Sequence, residues 1–422
     1  MNSSDEEAWV LVPPIRASRF RDTGRLDALL PNAVARGALP FGVAMVASAG
    51  QVEWHDAVGE ASDGSPATLD TLFCLRSMTK AVGSLAAMIL VDRGQLDLSS
   101  AVVDLVPEFA DVRVLDSMTP QGPRMREPRA PVTVRHLLTH TAGFAYSAFE
   151  AKLLEYEVAT QMATVEDGTV ESLKYPLMFD PGERFCYGIS TDWLGLVVER
   201  VGGSKLDDFC RDEIFEPAGM RSTVFELDGQ EKADLADLRV RAADGSFELL
   251  DWKPPPHPEI YGMGGCLYAT APDYIRFLQM FLRDGRAASG QRILSTNTFR
   301  LMTENQIGAL RVGAFAATGP LSAPVDFASG IAKTWTTAFM RTEEDLPGRR
   351  ASGSLSWSGF CNTHFWVDRA SDVAAVFMTQ TLPWCEPEFM KSFDEFECAV
   401  YSAILPARRS RRLGSASAAQ QH

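Results

Sequence analysis

Several signatures that would settle a function quickly are missing from this sequence. No serine sits in a Gly-x-Ser-x-Gly pattern, which disfavours an α/β-hydrolase, whose nucleophile rides on that strand-to-helix turn. No Cys-x-x-Cys pair occurs; the seven cysteines (Cys74, Cys186, Cys210, Cys266, Cys361, Cys385 and Cys398) are scattered and odd in number. Such usage reads as free, mostly buried thiols in a reducing compartment, so a cytoplasmic location is expected. No apolar run approaches the ~18 residues that cross a bilayer. The opening MNSSDEEAWV has neither the basic n-region nor the apolar core of a secretory leader. No membrane partner is expected. The only closely spaced histidines, His136 and His140, lack the glutamate beside the first that a zinc-binding HExxH helix needs. They read as organising a helix end and its loop, and neither metal nor cofactor is expected.

What is present is ordinary for a globular protein: 46% apolar and 23% charged residues over 422 positions, enough for one large domain or two lobes sharing a cleft. A net charge of −15 disfavours nucleic acid as a partner. FGVAMVASAGQVEWHDAVG reads as a β-hairpin, and the stretch from Ser77 to Arg93 as a helix stopped by Gly94. TVRHLLTHTAGF, STDWLGLVVERVGG and APDYIRFLQMFLRDG read as further helices; THFWVD and VAAVFMTQ read as closing strands. Strand-rich ends around a helix-rich middle imply an α/β (α+β) chain with a sheet built from both termini and a second lobe above it. We place an extension at 1–17, the α/β domain at 18–85 and 200–405, a mainly helical lobe at 86–199, and a frayed, disordered tail at 406–422.

One local pattern carries chemistry. Ser77-Met78-Thr79-Lys80 puts a hydroxyl and an amine three residues apart at the start of a helix, where side chains at i and i+3 are ~5–6 Å apart at Cβ. A serine is a poor nucleophile until a base takes its proton. A lysine serves as that base when burial lowers its pKa towards neutrality. The motif alone reads more readily as a helix cap beside a surface lysine.

Other blocks stand in order around it: FCLRSMTKAVGSLAAMILVDRGQLDL, VTVRHLLTHTAGF, PGERFCYGISTDWLGLVVERVGG, EIFEPAGMRSTVF, GMGGCLYATAPDYIRFLQMFL and GSLSWSGFCNTHFWVD. Through them residues 20 to 405 resemble the serine β-lactamase and penicillin-binding-protein superfamily. The resemblance is strongest to its class C-like carboxylesterase (family VIII) and lovastatin-type acyltransferase branch. It implies a β-lactamase/transpeptidase-like fold, an antiparallel sheet flanked by helices plus a helical lobe, with the site in the cleft between them. It also implies that Ser77 is the acylated serine, Lys80 its base and Tyr187 the tyrosine of the Tyr-x-Asn element. Trp357-Ser358-Gly359 then stands in place of the Lys-Thr-Gly strand, with Gly359 letting substrate approach the strand. The backbone N–H groups of Ser77 and Phe360 are the implied oxyanion donors.

Two departures bear on the substrate. Ile189 stands where β-lactamases carry asparagine, and Trp357 where they carry a basic residue, so the partners for a lactam's amide and carboxylate are missing. A small to medium neutral ester fits better. Phe144, Tyr146, Phe149, Tyr261 and Trp384 are candidates for the cleft rim, equally readable as packing residues. His364 is a candidate pocket residue or a strand residue with a structural role. The expected activity is a serine carboxylesterase. The alternatives are an acyltransferase using the same acyl-enzyme, a weak β-lactamase or D-amino peptidase, and a non-catalytic acylated sensor or scaffold. Oligomeric state is not legible.

Overall fold

The computed structural model describes residues 18–227, 229–252 and 257–417. The expected extension at 1–17 lies outside the described residues, as do residues 418–422 of the expected tail. The hairpin forms as expected: strand β1 (Phe41–Ala47) pairs antiparallel with β2 (Val52–Ser62). All seven residues of β1 are buried, because successive side chains enter two different cores. Val43 and Met45 pack into the larger cluster, while Ala44 and Val46 pack into a second one on the opposite face.

Short strands β3 (Ser65–Pro66), β4 (Leu72–Cys74) and β5 (Tyr268–Thr270) precede β6 (Lys333–Trp335), β7 (Met340–Thr342), β8 (Leu355–Gly359), β9 (Thr363–Asp368) and β10 (Val373–Met378). Eight of these make one antiparallel sheet in the order β6-β7-β8-β9-β10-β1-β2-β3. Strand β10, the last of this sheet in chain order, therefore lies beside β1, and the sheet is built from both ends. Its outer face is covered by helix α1 (Leu29–Ala35) and by the closing helix α6, Pro387–Ser417, through Leu30, Phe389, Phe393, Phe396 and Val400. That helix continues past residue 406, where the tail was expected to begin.

Between them in sequence lie α2 (Thr79–Asp92), α3 (Val134–Leu138), α4 (Ser190–Gly202) and α5 (Ala271–Leu282). Helix α2 is buried from Thr79 through Leu90. Apolar residues all round a helix are what a helix at the centre of a core requires. It stops at Arg93 with Gly94 at φ 69°, the left-handed position that favours glycine. Helix α5 packs on the inner face of the sheet, and α4 packs beside α2 from the helix-rich middle. The site lies where the first turn of α2 meets β8, α4 and the segment before β5.

Candidate active site

Ser77 does not open the α-helix itself. It is the middle residue of a 3-10 turn, Arg76–Met78, that leads into α2. In such a turn side chains at i and i+3 eclipse, so the tighter winding points Ser77 and Lys80 the same way. The turn is pinned from three sides. Leu75 N–H donates to the Leu267 carbonyl at 2.9 Å, the Tyr274 hydroxyl donates to the Met78 carbonyl at 2.9 Å, and Thr363 Oγ1 donates to the Leu75 carbonyl at 3.3 Å.

Lys80 Nζ donates to Ser77 Oγ at 3.2 Å, to the Tyr146 hydroxyl at 2.9 Å and to the Gly264 carbonyl at 2.7 Å. The side chain is 1% exposed. Burial brings its pKa down to about 7, against the opposing pull of Asp192 and Cys266. An ammonium uses all three protons in these contacts; the neutral amine has a lone pair to turn towards Ser77. Ser77 itself is only partly buried, so a substrate carbonyl and water can reach it.

Tyr187 closes the triangle. Its hydroxyl is hydrogen-bonded to Ser77 and accepts the Trp357 indole N–H at 3.0 Å. Its ring lies 4.9 Å from Lys80 Nζ. Burial holds both Tyr187 and Tyr146 far above the ordinary phenol range, so both remain phenols at neutral pH and Lys80 is the group able to gain and lose a proton there. The two phenols are neighbours because Gly188 leaves no room between strands of chain: a Cβ there would lie 2.5 Å from the Ala145 nitrogen.

One group takes a place the sequence does not show, and another escapes sequence reading altogether. Tyr146 belongs to the proton network rather than to the rim. Asp192, in the first turn of α4, is enclosed, and burial pushes its pKa up to about 6 while Lys80 pulls it back. Gly264 connects the two, its N–H donating to Asp192 Oδ1 at 2.8 Å while its carbonyl accepts from Lys80. The signal is the run Gly-Met-Gly-Gly at 262–265: a Cβ on Gly264 would lie 2.3 Å from Asp192 Oδ2, and one on Gly262 would lie 2.8 Å from Oδ1.

The remaining candidates scatter. Trp357 is buried and committed to Tyr187. Gly359 is needed for a different neighbour from the one expected: a Cβ there would lie 2.2 Å from the Leu75 carbonyl oxygen, so the strand closes on the nucleophile's own segment. Phe360 follows at the end of β8, and neither its N–H nor that of Ser77 donates to a main-chain carbonyl among the described residues. Ser358 and His364 are cross-strand partners, both buried. Ser358 accepts from the Trp384 indole at 3.2 Å. His364 packs 4.8 Å from both Phe389 and Phe393 of the outer helix, away from the cleft, and burial lowers its pKa to about 3. Ile189 and Phe144 are fully enclosed, Phe144 edge-on to Phe109, so neither rims the cleft. Tyr261 donates to Glu226 at 2.6 Å and packs at a tilt 4.9 Å from the Phe225 ring. Phe149, partly exposed, packs on Tyr187, Phe315, Phe360 and Trp384, an aromatic wall on the Tyr187 side.

His136 and His140 do organise a helix end. His136 Nδ1 accepts the Thr133 N–H at 3.2 Å at the start of α3, and the His140 carbonyl accepts Cys186 N–H at 2.8 Å. Among the described residues no helix is long and apolar enough to cross a membrane, and no group of three or more His, Cys, Asp or Glu is placed to hold a metal.

The model of the beta-lactamase family matches residues 26–393. Protein Rv1367c of Mycobacterium tuberculosis is 30% identical over 325 residues, 76% of this chain and 80% of that protein. Monacolin J acid methylbutanoyltransferase of Aspergillus terreus is 28% identical over 358 residues, 80% of this chain and 83% of that one. Among solved structures, simvastatin synthase (LovD) from Aspergillus terreus superposes with a TM-score of 0.77 at 24% identity, covering 89% of this chain and 97% of that one; this likeness shows the fold. The chain belongs to the beta-lactamase family of serine enzymes.

Proposed function

We propose that this member of the beta-lactamase family is a serine carboxylesterase, acting on small to medium neutral esters through an acyl-enzyme on Ser77. The observation that carries the reading is the 3.2 Å contact between Lys80 Nζ and Ser77 Oγ in surroundings dry enough to bring the lysine to about 7. A substantial fraction of Lys80 is then amine at neutral pH. Its lone pair takes the Ser77 proton as Oγ bonds to the ester carbonyl carbon. Among the described residues no main-chain carbonyl takes the N–H of Ser77 or Phe360, which leaves both for the oxyanion. As the intermediate collapses, the ester C–O bond breaks. Tyr187 gives its proton to the leaving alkoxide and the Lys80 ammonium replaces it, so the alcohol leaves, Lys80 returns to the amine and Tyr187 to the phenol.

Water next adds to the acyl carbonyl and yields a proton to Lys80. Collapse expels Ser77 Oγ, which takes that proton back, and the carboxylic acid leaves. Water is a natural acceptor because Ser77 is only partly buried. Enclosure of Ile189 and the commitment of Trp357 to Tyr187 leave no amide or carboxylate partner at those two positions. Slow β-lactam turnover is expected in consequence.

The similarity to a protein named as a methylbutanoyltransferase favours a second reading, in which an alcohol replaces water. Both share every step up to the acyl-enzyme. p-Nitrophenyl esters of increasing chain length, turned over with and without an added alcohol, test them. Free acid as the main product in the presence of alcohol supports the esterase; acylated alcohol in excess of acid supports the transferase. No nitrophenol release above that of a Ser77→Ala control would end both.

A further inference from the structure

The residue immediately before Ser77 is an arginine in a left-handed conformation, Arg76 at φ 47°. L side chains rarely adopt that region, and a bulky residue there persists only when its surroundings hold it. Its surroundings do. The guanidinium lies 4.0 Å above the Trp252 ring. Nη1 donates to both oxygens of Glu166 at 2.9 Å, reaching across to the helix-rich middle of the chain. The Cys361 thiol is hydrogen-bonded to the same guanidinium. Each contact lies on a different segment, and the arginine side chain is 15% exposed.

The placement of these contacts matters more than their number. The peptide joining Arg76 to Ser77 carries the Ser77 N–H, so the dihedrals of residue 76 set where that donor points. Cys361 directly follows Phe360, the other free N–H. One side chain therefore grips the chain next to both donors.

We propose that Arg76 is a positioning residue of the oxyanion hole, its clamped guanidinium holding the left-handed backbone that aims the Ser77 N–H and fixing the turn that carries the Phe360 N–H. The inference rests on the acyl-enzyme reading above and goes beyond it in assigning Arg76, which never touches substrate, a share of the rate. The ion pair with Glu166 links this clamp to the 3-10 turn Val165–Asp167 in the helix-rich middle of the chain. Glu166 is 51% exposed, so that part of the clamp weakens with salt.

The test compares wild type, Arg76→Ala, Arg76→Lys, Glu166→Gln and Ser77→Ala with a p-nitrophenyl ester and with an alkylboronic acid. The boronic acid forms a tetrahedral adduct on a nucleophilic serine and sets an oxygen where the oxyanion would lie. Loss of a whole oxyanion donor costs about 10²–10³ in kcat, and a misaimed one less, about 10–100-fold. Arg76→Ala is expected to lose kcat on that scale with KM within about twofold, and to weaken boronate binding in proportion to kcat/KM. Arg76→Lys keeps the charge but not the planar stack or fork, and is expected to fall between wild type and Arg76→Ala. Glu166→Gln is expected to lose less still. Should Arg76→Ala not fold, the Arg76→Lys and Glu166→Gln pair carries the same comparison.

Wild-type kcat and boronate affinity in the folded arginine variants would overturn the inference, as would a loss confined to KM. Retained activity in Ser77→Ala would instead overturn the acyl-enzyme reading on which it rests. The two failures are thus separately visible.

Discussion

Replacing Gly359 by alanine places a Cβ 2.2 Å from the Leu75 carbonyl oxygen and 2.3 Å from Thr363 Oγ1. Heavy atoms in ordinary contact are about 3.5 Å apart, so β8 and the segment before Ser77 must separate by about 1 Å. Neither side yields easily. Leu75 is tied to Leu267 by a 2.9 Å main-chain hydrogen bond, and Thr363 sits in β9, paired on both edges. Overpacking of this kind costs about 1–3 kcal/mol of stability. The larger effect falls on rate, because Ser77 and the Phe360 N–H lie on opposite sides of the contact. A misplacement of about 1 Å in catalytic geometry costs on the order of 100-fold, equivalent to about 2.7 kcal/mol of barrier at 1.36 kcal/mol per tenfold. Steady-state kinetics with p-nitrophenyl butyrate, alongside thermal unfolding, reads both effects. The expected result is kcat down about 100-fold with KM nearly unchanged and a lower Tm. A folded Gly359→Ala enzyme with wild-type kcat would refute the claim that this glycine sets the distance between nucleophile and oxyanion strand.

Lys80→Ala is expected to lose more than about 100-fold in kcat, the usual scale for a general base; near wild-type turnover would remove Lys80 from the mechanism. Tyr187→Phe is expected to lose on the same scale, about 100-fold or more, whereas Tyr146→Phe, which loses only a contact to Lys80, is expected to lose less. The reverse order would exchange their roles. Asp192→Asn tests the buried charge through the pH profile. Its carboxylate favours the ammonium form of Lys80, against burial; withdrawing that charge lets the amine persist to lower pH. The acid limb of kcat/KM, set by Lys80 near pH 7, is therefore expected to move to lower pH. A limb that stays in place or moves up would contradict the coupling.

The Ser77–Lys80 pair was legible because its geometry is local: two positions three apart at a helix start face one way whatever the rest of the chain does. Gly94 as a helix stop was legible for the same reason, being a left-handed position that follows a periodic run. The role of Tyr187 came through the resemblance, since a tyrosine before a helix is chemically mute by itself. Strand faces were not legible. Both faces of the sheet are buried, so THFWVD shows no alternation that would tell the inner Phe365 and Val367 from the outer His364 and Trp366. His364 accordingly turned out to face the closing helix. Whether Phe144 packs or rims the cleft stayed open because enclosure depends on partners distant in sequence, such as Phe109. Nothing in the sequence singles out Asp192; only the approach of Gly262 and Gly264 to its carboxylate reveals a buried acid beside the Lys80 network.

The most direct measurement is peptide-mapped mass spectrometry of enzyme quenched in acid during turnover of a p-nitrophenyl ester, run beside Lys80→Ala. The account predicts the acyl group on the peptide holding Ser77, formed quickly in wild type and far more slowly without the amine. An acyl group on another residue, or equal acylation of Ser77 in the two proteins, would contradict it.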